Sequence, residues 1–264
     1  MNSSINISLW AFPASIILGL CFVVLLWFCD RYYSKTRIYA LISGVKSAIL
    51  LSLIMIVLVA IEGIWAINLY RTWYFILISL GFMTNLGFTV FKRFRSIFYV
   101  RNRDNSKNIT NSDTAKNINK NLGFLLNHIG LFLVVWGMFF GAADYEQGGV
   151  LLAPGSEERF AQKETGELFP LPFKLELEKF TVDYYDDGVT PKQFVSSVLI
   201  DSQKHDISVN SPYRHGNYFI YQSSYDMVNK RYSVVQVVYD PWLWVVWIGI
   251  AALALGAVIM IFKK

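Results

Sequence analysis

Long apolar blocks separated by short basic stretches form the main pattern along the chain. Five blocks reach the length of about 20 mostly apolar residues that a helix needs to cross a bilayer. They cover approximately 10–29, 47–69, 73–91, 123–142 and 241–262. The first block lacks the preceding basic stretch and the small-residue cleavage site of a signal peptide, so we interpret it as a span as well. The pattern therefore predicts five transmembrane helices.

The charged residues between the blocks predict the orientation of the helices. The segments 30–46 and 92–122, together with the last two residues, hold fourteen basic and three acidic residues. Lys and Arg accumulate on the cytoplasmic side of a membrane. With five spans, these segments share one side only if the N-terminus is outside. We interpret the basic loops as topology determinants, although they would also suit the anionic head groups of membrane lipid.

The overall composition agrees with a membrane protein and removes one class of partner. Of the 264 residues, 54% are hydrophobic and 16% are charged, whereas an ordinary soluble domain has about 25% charged residues. The net charge of +5 combines the basic loops with a region, 143–239, whose own net charge is −5. The positive balance is therefore no sign of nucleic-acid binding, and we expect no nucleic-acid partner.

The pattern divides the chain into three parts. Residues 1–142 form a membrane domain with four transmembrane helices and a flexible basic cytoplasmic loop at 92–122, since 102–121 within this loop has almost no apolar residues. Residues 143–239 form an extracytoplasmic all-β domain of about 95 residues, enough to bury a core. Residues 240–264 form the fifth transmembrane helix.

Alternating apolar and polar residues are the reason for predicting strands in the outer domain. The alternation in 174–184 slips by one residue near Lys179, which predicts a β-bulge, and Asp187-Gly188 predicts a turn. Further strands are predicted at 194–201, 206–209, 218–225 and 230–239. The aromatic side chains expected to fill the core are Phe173, Phe180, Tyr184, Phe194, Phe219 and Tyr221.

Two ionisable side chains lie inside apolar blocks, where such groups are costly and often functional. His128 lies in the fourth block and could ligate a metal or haem iron, or could simply bond to a neighbouring helix. Glycines that follow it, such as Gly130, leave room for a helix or a flat ligand. Glu62 in the second block could reach the outer interface or pair with a cation such as Arg71.

The other polar residues suggest no self-contained enzyme. Cys21 and Cys29 form no C-x-x-C pair and fit apolar packing. His205 and His215 lie in polar stretches, are expected at the surface, and lack the spacing of a zinc pair. The sequence also has no nucleophile–base constellation and no phosphate-binding loop.

A series of short motifs in the second half of the chain resembles a known family. The motifs are Pro170-Leu171-Pro172-Phe173, Tyr221-Gln222-Ser223-Ser224-Tyr225-Asp226 and Asp240-Pro241. They resemble the ResB (also called CcsB) family of cytochrome c biogenesis proteins. The resemblance implies the System II pathway, in which such a protein and the membrane protein CcsA export haem and deliver it to apocytochrome c. It also implies that His128 is an axial ligand of a transient haem b, with the second ligand coming from the partner.

The chain lacks a motif that CcsA carries, so we do not expect it to attach haem alone. The sequence lacks the Trp-rich WWD motif of CcsA, so the resemblance implies a non-catalytic subunit of a holocytochrome c synthase complex. The expected location is the bacterial cytoplasmic (inner) membrane, with several spans and a periplasmic β domain. Two alternatives stay open: a scaffold that positions CcsA and apocytochrome c without ligating haem, and an assembly factor for another respiratory complex.

Overall fold

The chain forms a helical unit and a β unit. The computed structural model describes residues 10–65, 72–104, 111–227, 229 and 231–262, with the side chains of 97–104 and 111–121 left aside. The helical unit comprises Met1–Asp144 with Trp242–Lys264, and the β unit is Tyr145–Pro241. The helices are α1 (Ala14–Tyr33), α2 (Arg37–Ile42), α3 (Val45–Trp65), α4 (Trp73–Asp104), α5 (Asn111–Gly141) and α6 (Leu243–Ile261).

Five of these helices contain stretches long and apolar enough to cross a membrane, as the sequence predicted. The stretches are Ala14–Tyr33, Val45–Trp65, Trp73–Ser96, Leu122–Gly141 and Leu243–Ile261. Helix α3 buries none of its residues, which is the pattern of a helix whose apolar surface faces lipid or another protein. The side of the membrane on which the N-terminus lies stays a prediction.

The segment 92–122 differs from the flexible loop that its composition suggested. Helix α4 continues to Asp104 and helix α5 begins at Asn111, so most of the segment is helical, while 105–110 lies outside the described residues. Extending an existing helix costs no new nucleation, because each added residue also adds a hydrogen bond. Two long apolar helices can therefore continue into polar sequence that would not form a helix by itself.

Glycines bring helices α5 and α6 into backbone contact. Gly123, Gly130 and Gly137 recur at seven-residue intervals on α5. A methyl group on Gly130 would lie 2.6 Å from the backbone oxygen of Gly249, and one on Gly249 would lie 2.8 Å from that of Gly130. Small residues at such intervals allow close helix packing in a membrane. Of the two uses that the sequence left open for Gly130, the structure shows the contact with a helix.

The β unit is a single antiparallel sheet of eight strands in the order β5-β4-β3-β2-β1-β8-β7-β6. The strands are β1 (Glu146–Leu152), β2 (Glu157–Gln162), β3 (Leu168–Tyr184), β4 (Pro191–Ile200), β5 (Gln203–Ser208), β6 (Tyr213–His215), β7 (Tyr218–Tyr225) and β8 (Ser233–Tyr239). The two ends of this order, β5 and β6, are brought together by a tight turn in which Ser208 and Ser211 exchange backbone hydrogen bonds. The sheet is therefore a nearly closed barrel, which leaves little open strand edge.

Several local predictions for the β unit are confirmed, and others need correction. The pairing of β3 with β4 shifts between Leu177 and Lys179, as the slipped alternation predicted. Gly188 has φ +66° at the predicted turn, a conformation that glycine adopts without strain. Strands β1 and β2 were not predicted, because glycines and charged residues interrupt their alternation.

The core of the β unit is more aliphatic than expected. Phe173 is buried as predicted, but Tyr221 is 39% exposed and Phe180 packs only partly against the core. The strands β1, β3, β4 and β8 supply most of the buried side chains. They include Val150, Leu152, Leu175, Leu177, Val198, Ile200, Val235 and Val237. Branched aliphatic side chains pack well on a pleated surface, whereas most of the aromatic rings lie at its margins.

Candidate functional site

His128 is half-buried on α5, and the helix orients its ring. Its Nδ1 lies 2.9 Å from the backbone oxygen of Phe124, one turn earlier. A carbonyl oxygen can only accept, so Nδ1 carries the proton of this hydrogen bond. In the neutral ring, Nε2 then carries the lone pair that can bind a metal. Backbone hydrogen bonds of this kind orient many metal-binding histidines.

The ring of His128 lines a pocket within the helical unit. The pocket has a volume of about 550 Å³, inside the range of roughly 300–1,000 Å³ found for small-molecule and cofactor sites. Its walls come from the α2–α3 turn and from helices α3, α4 and α5. The polar or charged lining residues besides His128 are Ser43, Ser52, Asn85, Thr89, Lys92, Arg93 and Ser96.

Two basic side chains share the pocket with His128. Lys92 Nζ donates a hydrogen bond to Ser43 Oγ. The guanidinium carbon of Arg93 lies 4.4 Å from the ring centre of Phe124, and that ring stacks on His128 at 3.9 Å with an interplanar angle of 23°. The guanidinium, the phenyl ring and the imidazole therefore form one continuous stack along the wall of the pocket.

Polar contacts to the buried carboxylate of Asp30 tie helices α1, α2 and α4 together beside this pocket. Arg95 Nη2 pairs with Asp30 Oδ1 at 2.9 Å, and the hydroxyl of Tyr39 also donates to that oxygen. Burial, and then the hydrogen bond to Asp30, raise the pKa of Tyr39, so its hydroxyl stays a donor. In the sequence, Arg95 and Asp30 are only two of the charges between apolar blocks, since nothing in their spacing indicates that they pair.

A second buried carboxylate joins the opposite ends of the helices. Asp144 accepts hydrogen bonds from the backbone nitrogen of Phe12 at 2.5 Å, from Ser15 Oγ at 2.7 Å and from Trp242 Nε1 at 2.7 Å. All three donors lie far from it in the sequence. Because it is satisfied by three donors, the carboxylate can be buried without a cation. It connects the starts of α1 and α6 to the end of α5.

The remaining sequence candidates do not join the pocket. Glu62 is half-buried on α3, and Arg71, its suggested partner, lies outside the described residues. Cys21 and Cys29 are free thiols. Within the described part of the chain, no group of three or more His, Cys, Asp or Glu side chains could hold a metal ion.

The two histidines of the β unit are less solvated than predicted. The ring of His205 stacks on Tyr213 at 3.9 Å, and its Nε2 is buried with no hydrogen-bond partner among the described residues. The ring of His215 lies 4.9 Å from that of Phe173. Both rings are half-buried and pack in the barrel wall, so these residues contribute to packing rather than to a surface.

Comparison with known proteins connects this chain to a family. The sequence model described as the ResB-like family matches residues 100–230. This region of the chain is similar to the ResB-like family. The matched region includes His128 and most of the β unit, and it contains the Leu-Pro-Phe and Tyr-Gln-Ser motifs that suggested the resemblance. That resemblance, to the ResB/CcsB family of cytochrome c biogenesis proteins, is confirmed.

Two curated relatives match parts of the chain. It is 37% identical over 93 residues to Protein NrfI of Wolinella succinogenes, covering 33% of this chain and 10% of NrfI. It is 26% identical over 125 residues to Cytochrome c biogenesis protein CcsB of Prochlorococcus marinus, covering 45% of this chain and 28% of that protein. The ResB-like region thus corresponds to only a part of each of these longer proteins.

A solved structure, Cytochrome c Heme Lyase CcmF, is also similar to the chain. The similarity has a TM-score of 0.45 at 12% identity and covers 96% of this chain and 46% of that one. It is too distant to bear on the site or on function.

Proposed function

We propose that this protein is a membrane component of cytochrome c biogenesis that handles haem together with a CcsA-type partner. The ResB-like match and the relative named CcsB support the process. Five apolar helices support a multi-pass location, which we assign to the bacterial inner membrane. The distribution of basic residues supports an outside N-terminus and a periplasmic β unit that receives apocytochrome c.

In this proposal His128 is an axial ligand of the haem iron. One observation carries the assignment: the imidazole lines a pocket of about 550 Å³ and gives its Nδ1 proton to the Phe124 carbonyl. Nε2 is thereby the nitrogen available to iron. Haem, when bound, supplies an iron that accepts this nitrogen. A partner histidine would supply the second axial ligand and keep the haem shared between the two proteins.

The test is the absorption spectrum of the full chain co-purified with its CcsA-type partner. His128→Ala should lose at least half of the Soret absorbance per protein, and added imidazole should restore part of it. His215→Ala removes an imidazole outside the pocket and is the matched control, which should keep the wild-type spectrum. Equal haem content in the wild-type and His128→Ala complexes would overturn the ligand assignment.

A scaffold role is the second candidate function. The observation that favours it is the use of Gly130, two residues after His128, for packing against α6 and not against a ligand. A scaffold would position CcsA and apocytochrome c without touching haem. It predicts that His128→Ala lowers only the stability of the complex, whereas changes in the β unit abolish cytochrome maturation with a normal Soret band.

A further inference from the structure

We propose that Lys92 and Arg93 form a carboxylate-binding subsite of the His128 pocket, which takes the two propionate groups of a porphyrin. This inference rests on the proposed function and adds to it which side chains recognise the acidic edge of the ligand. It assigns a binding role to two residues that the sequence pattern explains only as topology determinants. The subsite would select porphyrins with free carboxylates over their esters.

The two cations of the proposed subsite lie next to His128. Both line the same pocket as His128, and they are consecutive residues on α4. Both lie near the end of the apolar stretch Trp73–Ser96, where Arg93 is half-buried and Lys92 is exposed. Arg95, only two residues away, already has a carboxylate partner in Asp30, so the cost of that cation is offset within the protein.

Arg93 has hydrogen-bond donors that a ligand could use. Its Nε is buried and has no hydrogen-bond partner among the described residues. Arg93 also forms no ion pair with a described side chain, and its guanidinium lies on the Phe124 ring. A guanidinium binds a carboxylate through two parallel hydrogen bonds, and a buried donor without a partner is costly. A ligand carboxylate would remove that cost once the side chain turns its Nε toward the pocket.

Contacts within the protein hold the ammonium group of Lys92 in place. Its Nζ donates to Ser43 Oγ and lies 5.0 Å from the ring centre of Tyr39. An ammonium group has three donors, so the contacts with Ser43 Oγ and, at 3.5 Å, with the Ser43 backbone oxygen leave one donor for an anion. Because Tyr39 is itself fixed by Asp30, the ammonium loses little freedom on binding.

The order of chemical groups along the pocket wall matches that of a porphyrin. The stack runs from the Arg93 guanidinium through the Phe124 ring to the His128 imidazole. A porphyrin is a flat apolar ring with a metal at its centre and carboxylates on one edge. The wall offers a nitrogen ligand, an aromatic ring and cations in turn. A free fatty acid or a simple phosphate would leave the imidazole without a role.

The test uses the full chain in phosphatidylcholine nanodiscs and a probe without iron. Metal-free protoporphyrin IX and its dimethyl ester differ at the two propionates, which are anionic in the acid and neutral methyl esters in the other compound, and their binding is measured by fluorescence. Because no iron is present, ligation by His128 does not contribute. The wild type should bind the free acid at least about tenfold more tightly than the ester, the gain expected for hydrogen bonds to a charged group.

Variants identify the residues responsible. Arg93→Gln and Lys92→Gln should each weaken binding of the free acid by about tenfold and leave the ester unchanged, while Arg93→Lys restores part of the affinity. Lys46→Gln removes an exposed charge that does not line the pocket and is the matched control. Equal wild-type affinities for acid and ester, or variants that weaken both ligands equally, would overturn the subsite.

Two further measurements separate the alternatives. Phosphatidylglycerol nanodiscs present an anionic head group; if they abolish the preference for the free acid, the cations bind lipid and the porphyrin subsite is wrong. If His128→Ala keeps both the haem Soret band and the preference for the acid, then His128 ligation fails and the subsite stands. If the haem Soret band depends on His128 but the wild type shows no preference for the free acid over the ester, the carboxylate-binding subsite is wrong and the ligation by His128 stands.

Discussion

The backbone contact between α5 and α6 gives a direct test of how the helical unit is held together. Gly130→Ala adds one methyl group at the closest point of these helices. That carbon would lie 2.6 Å from the backbone oxygen of Gly249 and 2.7 Å from the backbone nitrogen of Leu253. Since both neighbours are backbone atoms, no side-chain rotation can relieve the clash, and the helices must separate.

The magnitude follows from these distances. Ordinary non-bonded contacts lie at about 3.5 Å, so the helices must separate by about 0.9 Å at this point. Overpacking of this kind costs roughly 1–3 kcal/mol, and rigid neighbours favour the upper end. Replacing glycine by alanine in a helix returns about 1 kcal/mol. We expect Gly130→Ala to lower the free energy of unfolding by about 2 kcal/mol.

The assay is unfolding of the full chain in detergent, followed by tryptophan fluorescence. Gly81→Ala on α4 is the control, because its methyl group would meet the Leu51 side chain at an ordinary 3.6 Å; it should be neutral or stabilising by up to about 1 kcal/mol. The double variant Gly130→Ala with Gly249→Ala should destabilise the protein by less than the sum of the two single variants, since either substitution already separates the helices at the same contact. Equal stability of Gly130→Ala and Gly81→Ala would refute the close packing.

Three further predictions concern polar contacts. Asp144→Asn should destabilise the helical unit by about 1–3 kcal/mol, because the new amide faces hydrogen-bond donors; an unchanged thermal midpoint would contradict this. The hydroxyl and backbone nitrogen of Thr190 lower the pKa of Asp187, so the stabilisation is present above the unfolded pKa and is lost as pH falls through the folded one. Thr190→Val should raise that pKa in a carboxyl NMR titration of the full chain, and an unmoved titration would remove the cause given. The buried hydroxyls of Ser196 and Ser233 lie 2.7 Å apart. Ser196→Ala should lower the free energy of unfolding by about 1–3 kcal/mol. In a double-mutant cycle, the Ser196→Ala, Ser233→Ala variant should lose less stability than the sum of the two single variants.

Much of the secondary structure could be predicted because its signals are local. Twenty apolar residues in a row specify a spanning helix whatever their neighbours are, and the alternation in β3 specified both the strand and its bulge at 177–179. The helical stretches beside 105–110 could not be predicted from composition, since they extend helices that begin elsewhere. Strands β1 and β2 were missed because glycines and charged residues interrupt their alternation, and β1 also pairs with β8, which is distant in the sequence.

The candidate site was only partly visible in the sequence. His128 stood out because an imidazole is rare in an apolar block, and the family resemblance gave it a role. Lys92 and Arg93 looked the same as the other basic residues of their loop. Their place beside His128 depends on the crossing of α4 and α5, which no spacing along the chain encodes. Trp242, an indole at the start of the last apolar block, is buried and donates a hydrogen bond to Asp144.

By itself, the sequence determined the number of apolar helices, the β character of the region between the last two, and the ResB-like resemblance. Hydrophobic length and alternation act within a few residues, so they can be recognised without knowing the fold. Only the tertiary structure decided which charges are paired, which glycines touch, and which cations share a pocket with the imidazole. Those outcomes depend on distances between residues far apart in the chain, and only the packing of the helices sets them.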